Sequence, residues 1–195
     1  MRGIYAIILA AGESKRMGFP KMLLPFRGST IIENAIENVI NSQVNGTVVV
    51  LGSDHDEIRK VVVNWPVEHC YNKIYSEGML SSVQCGFRFL PQDFDAVLVF
   101  PGDQPGIKPM VSDMVISAFR SSGKGIIIPV FRTSRGHPIL ISSKYRDQVM
   151  TLDPKLGLRM LAEKFNSDVL EIDTGTPEIL KDIDTREEYL DELNQ

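Results

Sequence analysis

Residues 4–21 read Ile4-Tyr5-Ala6-Ile7-Ile8-Leu9-Ala10-Ala11-Gly12-Glu13-Ser14-Lys15-Arg16-Met17-Gly18-Phe19-Pro20-Lys21, and this order decides the fold. Residues 4–10 are a strand-like run, and the strand runs straight into a loop with two glycines, three cations and a closing Pro-Lys. Such a loop can wrap an anion. Gly12 and Gly18 permit positive φ and close backbone approach, the peptide N–H groups can turn inward as a nest, and Arg16 and Lys21 bring charge for several phosphates. The loop leaves the carboxyl end of the first strand, which is where open α/β sheets place their ligands. It is no Walker A loop, since no Gly-Lys-Ser/Thr closes it, and it lacks the Gly-x-Gly-x-x-Gly of dinucleotide sites.

Moving outward, further strand-like runs fall at 47–51, 96–100 and 126–131, with helix-length segments between the first three. That alternation predicts a mostly parallel α/β sheet. The first long helix starts at Thr30, where Thr30 and Glu33 form a capping box and Ile32, Ala35, Ile36, Val39 and Ile40 make a buried stripe. Residues 138–142 follow 126–131 after a loop too short for a crossover, so that pair is antiparallel and the sheet mixed. A last, acidic helix is expected near 186–193.

The 195 residues suffice for one domain with a full core, and no composition shift divides them; a single domain over 1–195 is expected. Lys plus Arg number 21 against 25 Asp plus Glu, a net charge of −4, without the basic excess that duplex nucleic acid demands. An anionic ligand must therefore be held by a local site. Apolar residues make up 43% and mean hydropathy is −0.03, which excludes disordered and membrane classes. No stretch reads as a targeting segment or membrane span, so the cytoplasm is the expected compartment. Cys70 and Cys85 form no Cys-x-x-Cys pair and read as small packed hydrophobes.

The pattern Leu9-Ala10-Ala11-Gly12-x-Ser14-x-Arg16-Met17-Gly18-x-Pro20-Lys21 resembles the signature of the MobA-like nucleotidyltransferases, which activate molybdopterin and sugar phosphates. It is most similar to the molybdenum cofactor cytidylyltransferase branch, because further matches recur in order along nearly the whole chain. The resemblance implies a three-layer Rossmann-like mixed sheet, mostly parallel with one antiparallel strand and helices on both faces. It also implies CTP as donor, the molybdopterin cofactor as acceptor, Mg²⁺ as cofactor, and transient contact with a molybdenum hydroxylase.

The remaining matches carry roles in the same way. Pro101-Gly102-Asp103-Gln104-Pro105 follows a buried strand and puts Asp103 on the rim of the first loop, where one carboxylate beside phosphates suits Mg²⁺. Asp182-Ile183-Asp184-Thr185 resembles the family's second acidic segment. Alternation sets Asp182 and Asp184 on one face, and Asp184 is assigned the second metal contact; either acid could instead cap the last helix. Asn72, Gly78, Met79, Ser82 and Gly86 resemble a family loop that enters a helix, so Asn72, Gly78 and Ser82 are assigned to nucleotide binding; the alternative is a plain helix-cap turn. Gly136-His137-Pro138 resembles the family's Gly-His-Pro, and His137, Gln104 and Asn72 are assigned to the acceptor. A general-base role for His137 is not required, because a phosphate nucleophile is already ionised at neutral pH. In this reading Lys21, Arg16 and Asp103 carry catalysis, with Lys21 on an exposed loop. The alternatives are transfer to a sugar phosphate or other small phosphate, and a non-catalytic carrier serving a molybdenum enzyme.

Overall fold

The computed structural model describes residues 2–193. Its strands, in chain order, are β1 (Gly3–Ala10), β2 (Pro25–Phe26), β3 (Ser29–Thr30), β4 (Gly46–Leu51), β5 (Glu68–Tyr71), β6 (Phe94–Pro101), β7 (Ile126–Phe131), β8 (Ser134–Arg135), β9 (Ile139–Ser142) and β10 (Val169–Asp173). The helices are α1 (Ile31–Ile40), α2 (His55–Val62), α3 (Met79–Phe89), α4 (Pro109–Ser122), α5 (Arg146–Thr151), α6 (Arg159–Lys164) and α7 (Arg186–Leu193). β2 and β3 form a small separate ribbon; the main sheet runs β10-β7-β9-β6-β1-β4-β5, with β8 hung on β7.

β1 lies between β4 and β6, parallel to both. The chain fills the sheet outward from β1 through β4 to β5, then returns across it to lay β6 on the other flank. The strand order reverses beside β1, and this leaves a crevice at the carboxyl ends. β9 is the expected antiparallel strand, inserted between β7 and β6 and antiparallel to each. The short β8 adds a second antiparallel contact.

Period-two alternation sorts β1 into two cores. Ile4, Ala6, Ile8 and Ala10 pack on one face with Ile32, Ala35, Ile36 and Val39 of α1, Ile58 of α2, and Val111 and Val115 of α4. Ile7 and Leu9 pack on the other with Leu80, Val83 and Phe87 of α3, Val149 of α5 and Leu161 of α6. The helices therefore cover both faces, as expected. α3 lies so close to β1 that a Cβ on Gly86 would stand 2.8 Å from the Ile7 side chain.

The capping box at α1 forms as read: Thr30 Oγ1 accepts from Glu33 N, and the Glu33 carboxylate accepts from Thr30 N at 3.0 Å. Two edge strands, β5 and β10, are present beyond those expected from the sequence. Glu68-His69-Cys70-Tyr71 has no apolar alternation, because β5 is an edge strand whose residues are all exposed or half-buried.

Candidate active site

Three chain segments meet at the carboxyl rim. The first is the loop after β1. The second is the turn after β6, held in register because Leu9 of β1 stands opposite Pro101. Gly102 N donates to Leu9 O at 2.9 Å, and a Cβ on Gly102 would stand 2.9 Å from that same oxygen. Glycine is what lets the Pro-Gly-Asp turn lie this close to β1. The third segment comes from far along the chain: Ile183 N donates to Asp103 O at 3.0 Å, and the Ile183 side chain is buried while Asp182 and Asp184 border the cleft.

Lys21 sits at the centre. Its Nζ donates to Asp103 Oδ2 and to Asp184 Oδ1, each at 2.6 Å, and Arg16 donates to the other Asp184 oxygen at 2.5 Å. Lys21 is only 6% exposed, which corrects the expectation of an exposed loop cation. The reason is pairing: a lysine held by two carboxylates can leave water, and no feature of the local sequence announces those partners. Burial opposes the ammonium charge, but Asp103 and Asp184 outweigh it and hold Lys21 above the ordinary lysine range. Burial also opposes the charge on Asp184, and Lys21 and Arg16 reverse this, so its carboxyl lies below the ordinary value. Asp182 goes the other way, raised by burial and by the neighbouring Asp103 and Asp184 charges. Burial lowers the His137 imidazole, against an opposing pull from Asp103.

These side chains line a cleft of about 490 Å³. Among the residues singled out from sequence, the structure brings together Leu9, Ala11, Gly12, Ser14, Arg16, Lys21, Gly78, Ser82, Asp103, His137, Asp182 and Asp184. Glu13, Lys15, Tyr75, Ser76 and Met79 also line the cleft, and sequence reasoning had not assigned them. Ala10, Gly18, Asn72 and Gln104 do not line it. Ala10 is core. Gly18 has φ 73°, and its N–H, with that of Met17, closes the loop's own turn on Ser14 O. At Ser14, with φ 48°, the backbone is left-handed where a glycine was expected to serve; Gly12 is not in that region.

Asn72 and Gln104 stand one layer back. Asn72 is buried and donates to Ser81 Oγ at 2.8 Å and Ser82 Oγ at 3.0 Å, so it fixes the serine that reaches the cleft. Gln104 is buried and donates to Asp182 Oδ1 at 2.6 Å, while its own Oε1 has no partner. A second cavity of about 590 Å³ adjoins the cleft and shares Met79 and His137 with it; Ile128, Ile139 and Leu161 contribute to its apolar wall.

The basic loop faces a lysine-bridged carboxylate pair on the carboxyl rim of a mostly parallel sheet. The chain belongs to the MobA-like NTP transferase domain family, which matches residues 6–169. It is 27% identical over 191 residues to the molybdenum cofactor cytidylyltransferase of Escherichia coli K12, covering 97% of this chain and 95% of that one. It is 29% identical over 192 residues to the nicotine blue oxidoreductase of Paenarthrobacter nicotinovorans, covering 95% and 94%. Rv0371c of Mycobacterium tuberculosis H37Rv superimposes with a TM-score of 0.87 at 22% identity, covering 100% of this chain and 98% of that one. Its manganese complex superimposes at 0.82 and 20% identity, covering 99% of each. No helix among the described residues is long and apolar enough to cross a membrane.

Proposed function

We propose that this chain transfers CMP from CTP to the phosphate of the molybdopterin cofactor and releases pyrophosphate. The observation that carries the reading is the Lys21 ammonium, buried and bridging Asp103 and Asp184 on the wall of the cleft that the Gly12–Arg16 loop borders. The acceptor phosphate oxygen attacks the α-phosphorus, the bond from that phosphorus to the bridging oxygen breaks, and pyrophosphate leaves. The acceptor is itself the nucleophile, so the protein supplies position and charge neutralisation. Lys21 meets the charge that grows on the α-phosphate. Arg16 and the loop hold the outer phosphates, Gly78 lets the nucleotide approach the backbone, and Ser82 offers a hydroxyl. His137 borders both the cleft and the apolar cavity, and this supports a reading in which the acceptor's ring system lies in the second and its phosphate in the first.

Asp103 and Asp184 fit a hard divalent cation such as Mg²⁺. Both are carboxylates already gathered about one positive charge, and among the described residues no three acidic, His or Cys side chains converge to hold an ion alone. Mg²⁺ takes one or two carboxylates and completes its shell with phosphate oxygens and water, so this pair suffices. When bound, the ion would neutralise charge on the phosphate oxygens. Asn72 and Gln104 act from behind the wall, holding Ser82 and Asp182. The reaction belongs in the cytoplasm, and delivery of its product to a molybdenum hydroxylase would be a transient encounter.

The test is a pyrophosphate-release assay over the four nucleoside triphosphates, with and without molybdopterin. Release with CTP that depends on molybdopterin supports the reading. Release with a sugar phosphate in its place moves the acceptor class. Binding of CTP without any release gives a carrier. Because one relative is named an oxidoreductase, NADPH oxidation is followed in parallel, and turnover there without pyrophosphate would overturn the reading.

A further inference from the structure

Cys70 and Cys85 are fifteen residues apart in sequence, yet their sulfur atoms lie 3.6 Å apart. Cys70 stands on the edge strand β5, opposite Val50 of β4, and Cys85 stands on α3, which packs on β5. Both are half-buried rather than sealed in the core. They are the chain's only two cysteines, and the transfer chemistry uses neither. Between them lie Tyr75, Ser76, Gly78, Met79 and Ser82, all of which line the cleft.

We propose that Cys70 and Cys85 form a dithiol site that a hydroperoxide oxidises reversibly to an intramolecular disulfide, which closes the cleft wall between them into a covalent loop. The proposal stands apart from the choice of nucleotide or acceptor. Joining the sulfurs requires them to approach by about 1.5 Å, to the disulfide length of about 2.05 Å, a displacement within reach of side-chain rotation. The Cys85 thiolate attacks one peroxide oxygen, the O–O bond breaks, and a proton from solvent carries away the other oxygen as water or an alcohol. Cys85 is then a sulfenic acid. Cys70 sulfur attacks it, the S–O bond breaks, the Cys70 proton leaves with the hydroxyl as water, and the S–S bond forms. Two thiols lose two electrons and the peroxide gains them.

The neighbours of the two sulfurs favour one order of attack. The thiols share one contact in which either can donate, and Arg88, one turn on from Cys85 along α3, favours the thiolate on Cys85. This contact, with help from the Arg88 charge and against burial, brings Cys85 down to about 7. The same contact, reinforced by burial, pushes the Cys70 thiol up. A sulfur of that kind is the attacking partner, and the protonated one resolves.

The sequence offers a direct assay. A tryptic cut after Lys73 separates the cysteines into peptides 61–73 and 74–88. The reduced, desalted protein is treated with hydrogen peroxide, free thiols are counted, and the protein is digested without reductant. We expect the count to fall from two to none, peptides 61–73 and 74–88 to run as one linked species, and dithiothreitol to restore both. Amide exchange over residues 73–78 should slow several-fold in the oxidised protein, because the disulfide removes open states of that segment. Cys70→Ser should accumulate a sulfenic acid trapped by a dimedone reagent, and Cys85→Ser should lose its thiol at least about tenfold more slowly than Cys70→Ser. Retention of both thiols, separate sulfinic acid peptides, or a disulfide between two chains overturns the site. Equal rates for the two serine variants overturn the order of attack, and unchanged exchange in the disulfide form overturns the closure of the wall.

Discussion

Replacing Lys21 by alanine removes the ammonium that Asp103 and Asp184 share, and stability and catalysis should respond by different amounts. Removing one partner of a fully buried ion pair costs about 3–5 kcal/mol, because the other charge is left uncompensated. Here the surviving side chains are 21% and 26% exposed, and Arg16 still holds Asp184. Water can relieve part of the strain, so the expected loss is about 2 kcal/mol, or roughly 4–8 °C in Tm for a chain of this size. The catalytic loss is larger. A single electrostatic contact made in the transition state is worth about two to three decades in kcat, roughly 2.7–4 kcal/mol. The two carboxylates, freed from their internal cation, should bind a divalent ion more tightly than before. The assay pairs a thermal melt with pyrophosphate release at saturating metal and nucleotide, and adds a metal titration of the nucleotide-free protein. Lys21→Met, which keeps the stem's packing, should recover part of the stability and none of the rate. A folded Lys21→Ala protein with near-normal kcat would refute the role of the ammonium, and weaker metal binding would refute the idea that lysine and metal compete for the same carboxylates.

Asp103→Asn should cripple metal-dependent turnover while nucleotide alone still binds, and Asp184→Asn should do the same more mildly; a silent Asp184→Asn beside a damaged Asp182→Asn, measured by metal titration of activity, would move the second contact to Asp182. CTP should be preferred over GTP by tens to hundreds of fold in kcat/KM, the scale of about 1–3 kcal/mol for one methyl, because the cleft wall carries the Cβ of Ala11, which a large purine edge would meet before a smaller pyrimidine. Ala11→Gly should narrow that ratio, and equal use of the two nucleotides by the parent would end the argument. In acid the sign follows from Asp184, whose native carboxyl lies below its ordinary value of 3.8. Its stabilisation is present above that value and is lost as pH falls through the lower native one. Melts from pH 7 down to pH 2.5 should show the parent's advantage over Asp184→Asn shrinking only below about pH 4, and a constant difference would refute it.

The centre of the fold was legible because it is locally consistent. The strand-like run of β1, the capping box of α1 and the short 131–139 connection each specify one local geometry, and together they require a mixed sheet with a loop at the carboxyl rim. The outer strands were not. β5 has the sequence Glu-His-Cys-Tyr, without apolar alternation, and β10 at the opposite edge is a five-residue run, Val169-Leu170-Glu171-Ile172-Asp173, whose apolar residues pack against the cores but are broken by Glu171. In the site, Arg16, Lys21, Asp103 and Asp184 were legible as candidates because each lies in a segment that resembles a family motif, and the fold brings the four together. The burial of Lys21 and the contact of Cys70 with Cys85 were not legible, since both depend on partners that only the folded chain brings close. Asn72 and Gln104 show the converse: the resemblance implied ligand contact, but the Asn72 amide donates to Ser81 and Ser82 and the Gln104 amide to Asp182.

The segment that carries Asp182 and Asp184 reaches the first loop across the whole length of the chain. Lys21 and Asp184 are 163 positions apart, Arg16 and Asp184 168, and Tyr189 Oη reaches Pro25 O at 2.6 Å from 164 positions away. The site is thus a clasp whose polar contacts at the rim lie beside two apolar anchors, Ile179 and Ile183, buried in the core on one face of the sheet. Closing so long a loop brings little reward until the sheet already holds both halves near one another, so the clasp fastens after the strands pair and opens before they part. On warming, activity should be lost while the sheet is still intact. The protein can therefore act on nucleotide only when nearly its entire length is in place, and partly folded chains are excluded from the chemistry by their own topology.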